Sequence, residues 1–289
     1  MYKVAILGCE NSHADTFIKL VQNEKLVDDV EFVGVYSEDT DAANTLNEKY
    51  GVPVMKTYDE LVGKIDGLIV TARHGANHYK YAKPYIESGI PMFIDKPVTV
   101  SEEEAVTFMK ELKRSGVRVS GGSCVGLASY VQELAKAVKE EKGGKLLGGH
   151  LRAPIDMDNP YGGFFFYSQH LVQMMGEIFG YYPDSVQMFK TETVLTCVIR
   201  YKGFDVTAEY VIGCYNYYAS ISCEQGVTGS DFTIDDCFQK EFLNYHHILT
   251  GGEQEQSYEE FIAPVIVLNA MYRSLQSGKE ERINEIGEI

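Results

Sequence analysis

The first 120 residues alternate between short apolar segments and longer segments in which apolar residues recur at helical spacing. The short segments, rich in β-branched residues, predict strands at residues 4–7, 30–36, 67–72, 91–94 and 117–121. Helical spacing predicts helices at residues 14–22, 41–50, 58–63, 77–88 and 101–115. Because short buried strands joined by helices form right-handed βαβ units, this half predicts a doubly wound parallel sheet covered on both faces.

The pattern changes after Gly121-Gly122. One helix is predicted at residues 127–141. Apolar and polar residues then alternate at 186–189, 194–201, 205–210, 217–223 and 231–234, before a last helix at 258–277. Successive strands without helices between them favour an antiparallel sheet. The sequence therefore predicts an α/β protein of two domains: residues 1–122 with the parallel sheet, and residues 123–289 as an α+β domain with a largely antiparallel sheet.

Charge and composition narrow the classes of function. The 289 residues include 26 Lys and Arg against 42 Asp and Glu, which gives a net charge of −16. This charge disfavours nucleic acids and anionic membrane surfaces as partners. No apolar segment approaches the ~20 residues that span a bilayer, and six cysteines without a C-x-x-C pair are typical of reduced thiols. We expect a cytoplasmic protein with a small-molecule substrate and neither a nucleic acid nor a membrane partner.

The turn after the first predicted strand is a candidate nucleotide-binding site. It has the sequence G-C-E-N-S-H-A at residues 8–14, where dinucleotide folds carry G-x-G-x-x-G/A. Gly8 is retained, whereas Glu10 replaces the glycine that lets the backbone approach the pyrophosphate. The turn still opens a helix whose free N–H groups favour an anion, and Asn11, Ser12 and His13 can donate further hydrogen bonds. The alternative is a structural turn without a ligand.

The end of the second predicted strand suggests a cofactor preference. Ser37 and Glu38 follow this strand, where an acidic side chain accepts hydrogen bonds from an adenosine ribose. No Lys or Arg lies between residues 36 and 48, although a 2′-phosphate normally recruits an Arg there. The local charge therefore favours NAD over NADP. The alternative is that these residues cap a helix on a solvated loop.

A series of short motifs along nearly the whole chain resembles the Gfo/Idh/MocA family of NAD(P)-dependent oxidoreductases. The motifs are Y-D-E-L at 58–61, T-A-R-H-G-A-N-H at 71–78, D-K-P at 95–97, G-G at 162–163 followed by His170, and A-M-Y-R-S at 270–274 through G-K at 278–279. The resemblance implies a Rossmann domain that binds NAD(P). It also implies hydride transfer to or from a small polyhydroxylated substrate of the sugar or cyclitol type.

The D-K-P motif supplies the first catalytic candidate. In the family, E-K-P places a lysine between the nicotinamide and the substrate, so the resemblance assigns this role to Lys96, flanked by Asp95 and Pro97. An ammonium at the carboxyl end of a parallel strand can bind a substrate oxygen and stabilise charge on it. The alternative is a surface loop lysine.

The segment that resembles the family's T-P-x-x-x-H motif gives further cofactor candidates. The resemblance places Thr71, His74 and His78 near the cofactor, although Ala72 replaces the proline. The two histidines are also spaced i, i+4, which can suit a metal. Because no third ligand accompanies them, we predict no metal site. Polar residues at a helix N-terminus are the alternative interpretation.

The second domain departs from the family motif G-G-x-x-x-D-x-G-x-H. His170 occupies the histidine position, but Phe166 stands at the Asp position and Ser168 at the glycine position. The resemblance implies that His170 takes the proton of a hydroxyl as hydride leaves, with Tyr167 as a substitute donor. The alternative is a structural histidine in an aromatic cluster.

Two functions follow from these candidates. The first is an NAD(P)-dependent dehydrogenase, with NAD favoured. The second is a weakly active or inactive relative that binds a nucleotide or sugar as a sensor or partner subunit, since Glu10 and Phe166 depart from the family. The resemblance also implies a homodimer or homotetramer formed through the sheet of the second domain. In the second domain, the residues expected to line the substrate pocket are Arg152, Asp156, Asp158, Tyr161 and Gln169. The alternative for Arg152 is a paired surface residue.

Overall fold

The protein folds into two compact units, observed in a computed structural model that describes residues 1–289. The first unit comprises residues 1–99, 103–122 and 238–261. The second comprises residues 100–102, 123–237 and 262–289. No helix is long and apolar enough to cross a lipid bilayer. All six cysteines are free, and burial raises the pKa of Cys9 to about 12.

Residues 1–122 alternate between strands and helices. Their elements are β1 (Tyr2–Leu7), α1 (Ser12–Gln22), β2 (Val30–Tyr36), α2 (Thr40–Tyr50), β3 (Gly67–Val70), α3 (Ala76–Ala82), a 3₁₀ helix (Lys83–Ser88), β4 (Met92–Asp95), α4 (Glu102–Ser115) and β5 (Val119–Gly122). The five strands form a parallel sheet with the order β2-β1-β3-β4-β5. This confirms the predicted doubly wound sheet.

Residues 123–289 supply the second sheet. Their elements are a 3₁₀ helix (Cys124–Leu127), α5 (Ser129–Lys139), β6 (Leu146–Ile155), α6 (Phe164–Phe179), β7 (Ser185–Lys190), β8 (Val194–Tyr201), β9 (Phe204–Ile212), β10 (Tyr217–Cys223), β11 (Gly226–Phe232), α7 (Cys237–Leu249), α8 (Tyr258–Ser277), β12 (Glu281–Arg282) and a 3₁₀ turn (Ile286–Glu288). Seven strands pair in the order β11-β10-β6-β9-β8-β7-β12. Only β6 and β9 run parallel, so the sheet is largely antiparallel, as predicted.

The segment from residue 238 to residue 261 packs in the first unit, whereas the sequence pattern assigns it to the second domain. Phe242 and Tyr245 of α7 are fully buried in the same core as Phe17 and Phe93. The ring centroids of Phe17 and Phe242 are 5.5 Å apart, and those of Phe17 and Phe93 are 5.2 Å apart. Aromatic burial on α1 therefore recruits α7 to the parallel-sheet unit.

Three predicted elements differ in the structure. Residues 58–63 form consecutive turns with i to i+3 backbone hydrogen bonds instead of a helix. The helix predicted at 77–88 changes to a 3₁₀ helix at Lys83, because Pro84 lacks the N–H that an α-helix needs there. The strand predicted at 231–234 is displaced to Gly226–Phe232, because this edge strand is polar and exposed and gives no alternating pattern.

The sequence pattern also misses β6, α6 and α7. In β6, Gly148-Gly149 interrupts the alternation of apolar and polar residues. In α6, twelve of sixteen residues are buried, and a helix buried almost all round has no amphipathic period. This helix carries His170.

Candidate functional site

Gly8 brings the turn between β1 and α1 close to the segment after β3. Its φ is +75°, and a Cβ at this position would lie 2.4 Å from Cα of Ala72. The buried Thr71 hydroxyl donates to the Gly8 carbonyl oxygen at 3.1 Å. Only glycine fits both this backbone conformation and this approach. The turn is therefore fixed at the carboxyl ends of β1 and β3, where doubly wound sheets bind their ligands.

The Glu10 carboxylate lies across this crevice. One oxygen, Oε2, accepts a hydrogen bond from Ser37 Oγ at 2.7 Å. The other, Oε1, accepts from the backbone N–H of Arg73 at 3.0 Å. Ser37 follows β2 and Arg73 follows β3, and these two strands flank β1 in the sheet. Glu10 therefore connects both neighbouring strand ends above the turn that contains it.

A buried polar network connects the start of α1 to the end of β4. Asn11 caps α1 by accepting from the His13 N–H, and its Nδ2 donates to Asp95 Oδ2 at 2.9 Å. His13 Nδ1 lies 2.8 Å from the same oxygen. Asp95 Oδ1 accepts from the Lys96 N–H at 2.7 Å. Ser12, next to this network in sequence, is exposed.

The charge of Asp95 is stabilised by its surroundings although the side chain is fully buried. Burial alone would raise the pKa of Asp95, but the nearby His13 and Lys96 side chains, with His78, outweigh it and hold this pKa below its ordinary value. Lys96 itself is only 5% exposed. Asp95 therefore anchors the backbone that presents the lysine, and it does so as a carboxylate.

His78 joins the segments that follow β3 and β4. Its Nδ1 lies 2.7 Å from the carbonyl oxygen of Pro97, and its Nε2 lies 2.8 Å from that of Ala72. The peptide bond between Lys96 and Pro97 is cis. His78 therefore positions the loop that carries Lys96. In neutral His78 one ring nitrogen carries the hydrogen and donates to its carbonyl oxygen. His74 Nδ1 accepts from the Ala76 N–H.

Burial of His78 predicts a loss of stability in mild acid. Burial is the main cause that lowers the pKa of His78 from its ordinary value near 6.5. The unfolded chain therefore binds a proton at a higher pH than the folded chain does. The resulting stability is present above about pH 6.5 and is lost as the pH falls below that value, by at most about 1.4 kcal/mol per pH unit.

Urea unfolding at pH 7.5, 6.5 and 5.5, followed by circular dichroism, measures this slope. The His78→Gln variant should show a smaller slope than the wild type over this range. Asp95 does not obscure the measurement. Its pKa is lowered, so its contribution to stability changes with pH only below about pH 3.8. His78→Asn, whose side chain also binds no proton in this range, should show the same smaller slope as His78→Gln. Equal slopes for wild type and His78→Gln would contradict the prediction.

The acidic residue proposed for the ribose has a basic partner. Glu38 lies 2.8 Å from Lys80 Nζ on the exposed surface, and Lys80 lowers the pKa of Glu38. Lys80 Nζ also lies over the rings of Tyr58 and Tyr81, 5.8 and 5.4 Å from their centroids. The prediction of NAD relies on the absence of Lys and Arg between residues 36 and 48. Lys80 lies in α3, outside that segment, but its ammonium reaches Glu38 in the fold. The charge at this strand end is therefore not purely acidic.

In the second unit, His170 is held by a serine that sequence reasoning missed. His170 Nδ1 lies 2.6 Å from Ser123 Oγ, and both side chains are buried. The rings of Tyr167 and Tyr217 lie 5.5 and 6.1 Å from the imidazole. In the sequence, Ser123 is marked only by its position directly after Gly121-Gly122, the pair that ends β5. Ser123, Tyr167 and Tyr217 all belong to the second unit, as His170 does.

The position of the family Asp is filled by an aromatic ring. Phe166 packs edge-on against Tyr167, with centroids 4.9 Å apart. The proposed substrate contacts nearby have partners within the protein. Arg152 Nε lies 3.8 Å from Glu209, Asp156 accepts from Asn159 Nδ2 at 2.9 Å, and Gln169 is fully buried. Arg152 therefore has an acidic neighbour on the adjacent strand β9.

Comparison with known proteins identifies the first domain. Residues 2–123 match the Gfo/Idh/MocA model, an oxidoreductase family with an NAD-binding Rossmann fold. Glucose-6-phosphate 3-dehydrogenase of Bacillus subtilis strain 168 is 27% identical over 150 residues, which are 51% of this chain and 41% of that enzyme. The chain thus aligns with less than half of the length of this relative.

Solved structures share the fold over nearly the whole chain. Scyllo-inositol dehydrogenase from Lactobacillus casei, with bound NAD(H) and scyllo-inositol, has a TM-score of 0.86 at 11% identity, covering 98% of this chain and 99% of that one. Myo-inositol dehydrogenase from Corynebacterium glutamicum ATCC 13032 has a TM-score of 0.83 at 15% identity, covering 99% of both chains. At these identities, the comparison establishes the fold alone.

Proposed function

Because residues 2–123 match the Gfo/Idh/MocA oxidoreductases, we propose that the protein is an NAD(P)-dependent dehydrogenase. Its substrate is a secondary alcohol, or the corresponding ketone, on a small sugar or cyclitol. One observation carries the proposal: the buried Asp95 carboxylate fixes the backbone of Lys96 at the carboxyl end of β4. The sugar and cyclitol substrates of the matching dehydrogenases support the substrate class.

The residues of the first unit fit a dinucleotide at the carboxyl ends of its strands, with one obstacle. The tight turn at Gly8 and the N-terminus of α1 suit a pyrophosphate, although Asn11 already accepts from the His13 N–H there. Glu10 is the obstacle, because its carboxylate occupies two donors there. The residues proposed to hold or border the cofactor are Gly8, Glu10, Asn11, Ser12, His13, Ser37, Glu38, Thr71, His74, His78, Asp95, Lys96 and Pro97.

Each catalytic candidate has a defined task. A bound nicotinamide supplies the hydride chemistry. The Lys96 ammonium binds the substrate oxygen and stabilises the negative charge that develops on it. His170 exchanges the hydroxyl proton, and Ser123 orients its imidazole through Nδ1. Tyr167, whose ring lies beside His170, is proposed as a further donor.

The finer parts of the proposal concern the cofactor, assembly and location. We retain NAD as the preferred cofactor because of the acidic Glu10 and Glu38 near the end of β2, although Lys80 reduces the weight of Glu38. Assembly as a homodimer or homotetramer through the second sheet is supported by exposed apolar side chains on its strands, among them Leu147 and Phe189. A cytoplasmic location completes the proposal.

A titration with NADH and NADPH tests the proposed function first. We expect at least one reduced cofactor to bind in the micromolar range, measured by the fluorescence of its nicotinamide, and a sugar and polyol screen to find turnover with the oxidised form. Unlabelled NAD⁺ should compete with NADH. Absence of binding of both reduced cofactors at millimolar concentration would refute the dehydrogenase. Binding without turnover on any substrate would favour the sensor instead.

A further inference from the structure

The Glu10 side chain fills a place that is empty when this position is glycine. Its two carboxylate oxygens accept from Ser37 Oγ and the Arg73 N–H, at 2.7 and 3.0 Å. These donors belong to the strand ends on both sides of β1. The side chain is half-buried, and these two hydrogen bonds hold its carboxylate between the strand ends.

The two donors engaged by Glu10 are of the kind that an anionic ligand uses. A hydroxyl and a backbone N–H at the carboxyl ends of parallel strands commonly bind phosphate or ribose oxygens. A carboxylate presents two oxygens to these donors, as a phosphate does. The protein thus satisfies part of its own nucleotide site with an internal anion.

We propose that Glu10 is an internal ligand of the nucleotide site, which a dinucleotide must displace from Ser37 and Arg73 before it binds. This inference rests on the proposed function and adds regulation of the same site. Hydrogen bonds to a charged group are among the stronger ones in proteins, so their loss weakens the binding of any competing ligand. The charge of Glu10 also repels phosphate while the side chain stays nearby.

Nucleotide affinity of Glu10 variants tests the inference. NADH should bind roughly ten- to hundredfold more tightly to Glu10→Gly than to the wild type, from the loss of two hydrogen bonds to a charged group. Glu10→Gln, which keeps the shape but not the charge, should gain less. The control is Glu24→Gln, which removes an exposed carboxylate paired with Lys19 just after α1 and should bind NADH as the wild type does.

A second measurement does not depend on nucleotide. Amide hydrogen exchange of the peptide that contains Arg73 should be slowest in the cofactor-free wild type and fastest in Glu10→Gly, which has no acceptor for this N–H. Glu10→Gln should lie between them, because its neutral amide oxygen is a weaker acceptor than a carboxylate. Equal exchange in all three proteins would overturn the inference. This readout also covers the case in which Glu10→Gly does not fold, because Glu10→Gln retains the size of the side chain.

The outcomes separate this inference from the proposed function. If the wild type binds NADH and Glu10→Gly binds it equally or more weakly, Glu10 is not a competitor, while the dehydrogenase proposal stands. If neither protein binds NADH or NADPH at millimolar concentration, both proposals fail. Tighter binding by Glu10→Gly together with faster Arg73 exchange supports both.

Discussion

Replacing Lys96 by methionine should lower kcat/KM for hydride transfer by about 10²–10³-fold, the typical loss when one group that stabilises charge on a reacting oxygen is removed. Methionine preserves much of the length of the lysine side chain but has no charge and no N–H donor. The Asp95 carboxylate bonds to the backbone N–H of residue 96, so the loop should keep its position in the variant. The decrease should therefore appear mainly in kcat, while the affinity for NADH changes little.

Steady-state kinetics with the best substrate of the polyol screen measures this effect. Lys49→Met is the matched control: Lys49 is an exposed lysine of the same unit that pairs with Asp15 at 2.6 Å, and its replacement should leave turnover unchanged. Lys96→Arg keeps the charge but presents it in a different geometry, so it should recover only part of the activity. Wild-type turnover by Lys96→Met would remove Lys96 from the mechanism.

The parallel sheet is predictable because each strand has its own local signal. The run from Val30 to Tyr36 is apolar and ends before a capped helix, and its predicted limits agree with β2. The helix at Tyr58–Gly63 is wrong because the same local signal also suits consecutive turns. Tertiary contacts determine the conformation of such short segments. The longer helix α6 is also missed from the sequence, because a helix buried almost all round has no amphipathic pattern.

The chemistry of the site is only partly predictable, because its contacts join residues distant in sequence. Glu10 is visible as a departure from the glycine pattern, but its bond to Arg73 spans 63 residues. Lys80 approaches Glu38 from a separation of 42 residues. The charges within one sequence segment therefore differ from the charges that surround the same residues in the folded protein. The motifs correctly mark the strand ends, whereas the partners of each side chain require the fold.

Contacts between residues distant in sequence also give Asp95 a role in stability that the sequence does not show. The D-K-P motif predicts that Asp95 borders the cofactor, but it does not predict that this carboxylate holds the lysine loop. In the structure, Asp95 Oδ2 accepts from Asn11 Nδ2 and lies 2.8 Å from His13 Nδ1, and Asp95 Oδ1 accepts from the Lys96 N–H. All three contacts converge on one fully buried carboxylate, so its removal leaves buried polar groups without an acceptor.

Asp95→Ala should lower the free energy of unfolding by about 3–5 kcal/mol, the usual cost of removing one partner from a buried charged pair. Asp95→Asn should cost less, because it keeps one acceptor oxygen but turns an NH₂ group toward donors. Urea unfolding at pH 7 measures both variants. Asp15→Ala is the matched control, since Asp15 pairs with Lys49 on the exposed surface and should contribute less than about 1 kcal/mol. If Asp95→Ala were as stable as Asp15→Ala, the network would not hold the lysine loop, and the observation on which we base the dehydrogenase would lose its force.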